Sequence, residues 1–451
     1  MTIIYDNSNG NNSNNIVVRD NITLATHAPL PSYQHQSQSP QPQSQHEPQH
    51  LQEQDHNEEP KHLQEKDHEE QDEPQQQKDE DILDPSQLSF KSPAPDDRYT
   101  VNGFDVSGAF YEFQESIKNH KHKLPLESHL HHALAASSIL FLKHGRYPDD
   151  MVKIFGEDQL EAIVDDLNDM FGVKKAKLPI GTVTDMINII QNVIDENMTR
   201  YQAVGKLLLM DGKVPANQFK FIKSVAKLLE KLPRTGIVEE VKENELCTRY
   251  ADPLLCGLFD DPDAGIFLRW TDQTTLEGKK SLNISKRRPD ICITTLKGIN
   301  WDYNSGFGEA KASSEGNNHY YLCKDLLRVA IFGKNSIDTS NMDGVIGMQV
   351  VGRSITFYLM VLLSDGLYIM LELERISIPG SLDDLLKYLM DMNKILMVLD
   401  VFEEWCRPVS AAQASRFDKR KRKTLSTPGF CQIMSSETSR KRSCILKHYY
   451  N

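Results

Sequence analysis

Two carboxylates and an amine in one short stretch suggest the chemistry to look for. Asp290 follows Arg287-Arg288-Pro289, and Gly308-Glu309-Ala310-Lys311 lies a little further along. Hydrolysis of a phosphodiester needs charge neutralised on the phosphoryl oxygens and a hydroxide made near neutral pH. A magnesium ion held by one or two carboxylates does the first and helps the second. A lysine beside the metal orients the attacking water and stabilises developing charge. Its own charge softens the repulsion between the carboxylates.

Two strands must bring these groups together. Residues 290–296 carry isoleucines at 291 and 293 and read as one strand; residues 306–312 read as the next. In an antiparallel pair Asp290 opposes Glu309 if the connection centres between Ile299 and Asn300, within Lys297-Gly298-Ile299-Asn300, where turn residues occur. A longer loop through Asn304-Ser305-Gly306 would shift that register. Side chains alternate along a strand, so Glu309 and Lys311 share a face and Ala310 points the other way. The competing assignment is an ordinary cross-strand charge pair of little energetic weight.

Around them we expect a helix over 237–250, a short strand over 265–270, a helix over 320–332, strands over 345–351 and 355–363, and a hairpin at Ser364-Asp365-Gly366 returning over 367–378. A long helix follows over 381–404, opened by Ser381 with Asp384 as a capping-box variant. That order implies an α/β or α+β fold on one central mixed sheet flanked by helices.

Asp290 followed by Glu309-Ala310-Lys311, with Pro289 ahead, resembles the motif of the PD-(D/E)XK nuclease superfamily, over roughly residues 237–404. The resemblance implies a restriction-endonuclease-like core and a magnesium (or manganese) cofactor. It implies Asp290 and Glu309 as metal ligands, Lys311 as the catalytic lysine, and a further ligand from the preceding helix, Glu245 or Glu243. Lys324 and Arg328 share a helix face by their i, i+4 spacing and suit phosphate contacts, as do Arg287 and Arg288.

The rest of the chain sets bounds on these expectations. It has 451 residues and a net charge of −13, with 39% hydrophobic residues and a mean hydropathy of −0.50. The acidic total argues against a protein that coats nucleic acid along its whole surface, but leaves room for a local basic groove. Residues 1–98 are rich in Asn, Gln, His and Glu and should be disordered, with His46, His50, His56, His62 and His68 as solvated filler. Residues 99–233 read as an all-helical segment of about five helices, one of them running over 128–142. His129, His131 and His132 are expected on a helix surface there. Residues 408–451 lose periodicity and should form a disordered basic tail, in which Lys419, Arg420, Lys421, Arg422 and Lys423 read as a nuclear localisation signal. Seven scattered cysteines fit free thiols in a reducing compartment. No run is long and apolar enough for a membrane span.

Three functions are compatible with this pattern. The first is a metal-dependent nuclease, with DNA as its nucleic-acid partner. The second is an inactive nuclease fold kept as a nuclear binding or regulatory module. The third is an interaction protein whose helical region meets a protein partner. Cytoplasm is the alternative to the nucleus.

Overall fold

Four runs of alternating or continuous apolar residues build the centre of the molecule, each bounded by Gly, Asp or Ser corners. The computed structural model describes residues 88–424 apart from 121, 174–178 and 281–286, and further on residues 433–435, 439, 442, 444 and 446. The low-complexity head as far as residue 87, with His46, His50, His56, His62 and His68, lies outside the described residues. Residues 88–98, assigned to that head from sequence, are part of the fold: the Ala94 N–H donates to the Asp365 carboxylate at 2.9 Å.

The strands are β1 (Thr100–Val101), β2 (Phe104–Asp105), β3 (Ile139–Leu142), β4 (Ile266–Trp270), β5 (Ile291–Lys297), β6 (Asn300–Lys311), β7 (Gly344–Val351), β8 (Ser354–Ser364) and β9 (Leu367–Ser377). The first two form a small hairpin, and the other seven one sheet in the order β3-β9-β8-β7-β6-β5-β4. The β6–β7 and β3–β9 pairs are parallel, and the remaining neighbours antiparallel. The sheet is therefore mixed, as expected.

Alternation along the strands divides the core into two layers. Ile291, Ile293, Ala310, Ile346, Met348, Val350, Phe357 and Leu359 belong to one apolar cluster. Cys292, Phe307, Val345, Tyr358 and Met360 belong to the other. Helices cover both faces. Those ahead of the sheet's central strands are α1 (Val106–Ser116), α2 (Leu130–Ala136), α3 (Asp149–Phe155), α4 (Glu157–Met170), α5 (Ile180–Ile194), α6 (Arg200–Leu208), α7 (Ala216–Lys231), α8 (Glu243–Glu245), α9 (Asp252–Phe259) and α10 (Leu276–Lys280). Then come α11 (His319–Ser340), α12 (Leu382–Met390), α13 (Met392–Trp405) and α14 (Ala411–Arg420). The second cluster takes its helical residues from α2 and α11, with Phe417 of α14; α7, α9, α12 and α13 pack in the first.

Several expectations need correction. The segment 99–233 is neither all-helical nor separate. The helix expected over 128–142 stops at Ala136, Ser138 turns with a φ of 65°, and Ile139–Leu142 becomes an edge strand parallel to β9. A short run of bulky apolar residues fits a buried strand as well as a helix turn, and burial on both faces decides it. Helices from this segment share one apolar cluster with the central strands. The helix over 237–250 reduces to α8, which passes through a π-helical turn (Leu246–Ala251) into α9. The long helix over 381–404 breaks at Asp391 into α12 and α13.

Residues 408–424, expected in a disordered tail, belong to the fold. Their basic run begins inside α14 and folds back on the body. Arg420 makes a bidentate pair with Asp97 at 2.5 and 2.6 Å. Lys421 donates to the Asp338 carbonyl at 2.7 Å, and Arg422 pairs with Asp365 at 2.6 Å. Of the five, only Lys419 and Lys423 are exposed. No helix among the described residues is long and apolar enough to cross a membrane.

Candidate active site

The β5–β6 hairpin reaches the anticipated register by an unanticipated route. Its turn is Gly298-Ile299, with Lys297 opposite Asn300 and Gly298 at a φ of 62°, left-handed backbone that favours glycine. Two register shifts follow, leaving Asp302 and Ser305 of β6 without partners on β5. After both, Ile291 faces Gly308, which places Asp290 across from Glu309. The Asp290 carboxylate accepts from the Ala310 N–H at 2.8 Å, and the Asp290 carbonyl accepts from the Thr271 N–H at 2.9 Å. One oxygen of Asp290 is thus fixed on the backbone.

Glu309 and Lys311 lie on the α11 face of β6, the face on which Phe307 meets Phe332. Glu309 is 1% exposed, and neither carboxylate oxygen has a hydrogen-bond partner. Arg328 brings its Nε within 3.3 Å of Glu309, without hydrogen-bond geometry. Burial first, and then the Asp290 charge, push the Glu309 carboxyl well above the usual range; Arg328 and Lys311 pull the other way. Lys311 donates to the Ala310 carbonyl at 3.1 Å and points its amine at Glu243 (3.6 Å) and Asp325 (4.0 Å). Burial would lower the lysine pKa, but Asp325, Glu243, Asp290 and Glu309 together hold it above its ordinary value, so it stays charged.

Glu243 is therefore the helix glutamate at the site. Glu245, the alternative ligand, turns away to pair with Arg249 at 2.9 Å. The turn that carries Glu243 is anchored through α9, where a Cβ on Gly257 would come within 2.2 Å of the Ser224 Cα on α7. Burial raises the Glu243 carboxyl, opposed by Lys311 and reinforced by Asp290.

α11 supplies a residue that pattern reasoning passed over. Asp325 is buried, one oxygen has no hydrogen-bond partner, and it lies 3.8 Å from Arg328 and 4.0 Å from Lys311. Burial pushes its carboxyl up to about 6. Its signal in the sequence was a lone acid between Leu322, Leu326 and Val329, on the apolar stripe of α11. Lys324 and Arg328 do share a helix, but Arg328 turns into the site, with a second contact to the Arg288 carbonyl at 2.5 Å. Arg288 is exposed and pairs with Asp272 at 3.2 Å; Arg287 is exposed beside it.

Asp290, Glu309, Glu243 and Asp325 thus face Lys311 and Arg328. Four carboxyls crowd two cations, and burial raises Glu243, Glu309 and Asp325, so protons or a divalent ion complete the balance. The carboxylates are not drawn together into a ready-made cage. Among the described residues only His120, His132 and Asp150, on other elements, place three donors of the His, Cys, Asp and Glu types within 4.8 Å of one another. That spread suits magnesium, which keeps several waters and takes one or two carboxylates plus phosphate oxygens. A cavity of about 640 Å³ opens elsewhere, between β9 and α13, and shares no residue with this group. No known protein family, curated protein or solved structure matches the chain.

Proposed function

We propose that the sheet and the β5–β6–α11 site form a restriction-endonuclease-like core that hydrolyses phosphodiester bonds, in DNA, with a magnesium or manganese ion. The observation that carries this is Glu309: a carboxylate 1% exposed, facing Asp290 across a hairpin, with both oxygens lacking hydrogen-bond donors. An uncompensated buried carboxylate is costly unless a cation or proton completes it. Asp290 and Glu309 would hold the ion, with Glu243 reaching it through water. Such an ion neutralises phosphoryl charge and lowers the pKa of a bound water. Lys311, charged and centred among the acids, would orient the attacking water. Arg287, Arg288 and Lys324 would meet phosphate, and Arg328 would join them on release from Glu309.

A second possibility has its own observation. Arg328 lies 3.3 Å from Glu309 and 3.8 Å from Asp325, where its charge would stand in for a metal in an inactive fold kept for binding. Plasmid cleavage with Mg²⁺ or Mn²⁺ separates the two. A nuclease cuts as wild type and is silenced by Asp290→Ala and by Lys311→Ala. Cleavage that survives both substitutions assigns the activity elsewhere, and binding without cleavage by wild type favours the inactive module.

A nuclear address on Lys419–Lys423 belongs to the same proposal. With Arg420, Lys421 and Arg422 engaged, Lys419 and Lys423 are the side chains left to a transport receptor. A fluorescent fusion carrying Lys419→Ala and Lys423→Ala should leave the nucleus; undiminished nuclear retention would remove the assignment.

A further inference from the structure

Two of the three histidines expected on a helix surface are buried, and the third, His129, is partly exposed at the N-cap of α2. His131 and His132 are 3% and 1% exposed, and neither ring nitrogen of His132 has a hydrogen-bond partner. A buried imidazole normally satisfies at least one nitrogen. His131 packs on Phe141 at 5.1 Å, as a core aromatic would. His132 instead faces two more imidazoles and a carboxylate. Its ring centre is 5.3 Å from both His120 and His129, and its Nε2 is 3.9 Å from one Asp150 oxygen. The other Asp150 oxygen pairs with Lys153 at 3.2 Å.

Three elements converge here. His120 follows the short 3-10 turn that ends α1, His132 is in α2, and Asp150 is in the first turn of α3. One donor atom from each lies within 4.8 Å of the other two. Zinc bonds nitrogen and carboxylate oxygen at ~2.0–2.2 Å, so a modest inward turn of His120 and Asp150, both partly exposed, closes the set. His129 is a further imidazole beside the set, its ring centre 5.3 Å from His132 and 5.9 Å from His120. Its Nδ1 must donate to the Pro125 carbonyl, 3.2 Å away, which leaves the Nε2 lone pair for a metal. Burial keeps the His132 imidazole neutral, with its pKa pushed down to about 4.

We propose that His120, His132 and Asp150 form a structural zinc site, completed by His129 or a water, that ties the end of α1 to α2 and α3. Imidazole donors select zinc over the hard magnesium ion of the hydrolytic site. The buried, donorless nitrogens of His132 are what the metal would satisfy. The two sites share no residue, so either can fail without the other.

The test uses the full chain carrying Asp290→Ala and Glu309→Gln, so that the hydrolytic site contributes no metal. After chelation and dialysis, Zn²⁺ is returned and retained metal and melting temperature are measured; Co²⁺ serves as the coloured probe. The proposal expects one retained zinc, the visible absorption of tetrahedral cobalt, and a rise in Tm of ~5 °C or more. It expects His120→Ala and Asp150→Asn, at partly exposed positions, to melt with the chelated parent and to lose the zinc-dependent rise. No retained metal and no rise in the parent would overturn it. So would metal retained equally by both variants.

Discussion

Two buried glutamates on neighbouring elements are treated in opposite ways. Glu277, in α10, is fully buried, and both its oxygens accept from the Asn304 amide, at 3.0 and 3.3 Å. Asn304 accepts in turn from Thr294 at 2.7 Å. Glu309, five residues further along the same strand as Asn304, is nearly as buried and has no donor on either oxygen. Burial raises both carboxyls, but hydrogen bonds pull Glu277 back, and only the charges of Arg328 and Lys311 do so for Glu309. Where an acid is purely structural, the fold completes its hydrogen bonds. Where it is left incomplete next to a second acid and a lysine, it is poised to accept something from outside.

The largest expected effects are on cleavage. Asp290→Ala and Glu309→Ala should each lower the single-turnover rate by about 10³-fold or more, and Lys311→Ala by ~10²–10³-fold. Glu277→Ala should leave the rate per folded molecule within a few-fold of wild type. Equal losses at 277 and 309 would erase the contrast between them.

Stability should show the reverse order. Glu277→Ala strands the Asn304 amide and should cost ~1–3 kcal/mol in denaturant titrations. Glu309→Gln removes a buried charge and should stabilise by about 1 kcal/mol while abolishing activity. Destabilisation by Glu309→Gln would mean that Arg328 already satisfies the carboxylate.

The pH dependence sharpens the same point. The Asp325 carboxyl sits at about 6 in the folded chain, against ~3.9 in an unfolded one. Between those values the native state holds more protons, so this group's stabilisation is full below about pH 4 and is lost as pH rises through 6. The Glu309 carboxyl, raised first by burial and then by the Asp290 charge, acts in the same direction. Melting temperature should therefore fall across that window more steeply for wild type than for Asp325→Asn. Added Mg²⁺ should raise it at pH 8 but not at pH 4. The smallest effect belongs to the basic run, where Arg420→Ala removes a half-buried pair with Asp97 and should cost about 1 kcal/mol. No change would restore the view of that run as a free tail.

Much of the candidate site was visible in the sequence because alternation on a strand fixes which side chains share a face. Asp290, Glu309 and Lys311 needed only that rule and a register. The two β-bulges behind the register were not legible, since pairing slips of one residue leave no mark in composition. Asp325 was missed because a lone acid on an apolar helix stripe looks like an interruption until the strand beneath it is known. Glu243 and Glu245 lie two residues apart in α8 and so point to different sides, and periodicity does not say which side meets Lys311. The strand at 139–142 and the docked basic run were both decided by tertiary burial. Local pattern cannot weigh burial: His132 looked like a surface residue until Phe113, tilted against it with ring centres 4.8 Å apart, closed over it.

Anomalous diffraction from crystals soaked in Mn²⁺ tests the central claim most directly. The account predicts a peak between the Asp290 and Glu309 carboxylates, with Arg328 displaced from Glu309, and no such peak in Glu309→Gln crystals. Arg328 still against Glu309 in the presence of bound nucleic acid and Mn²⁺, with no metal between the two acids, would contradict it.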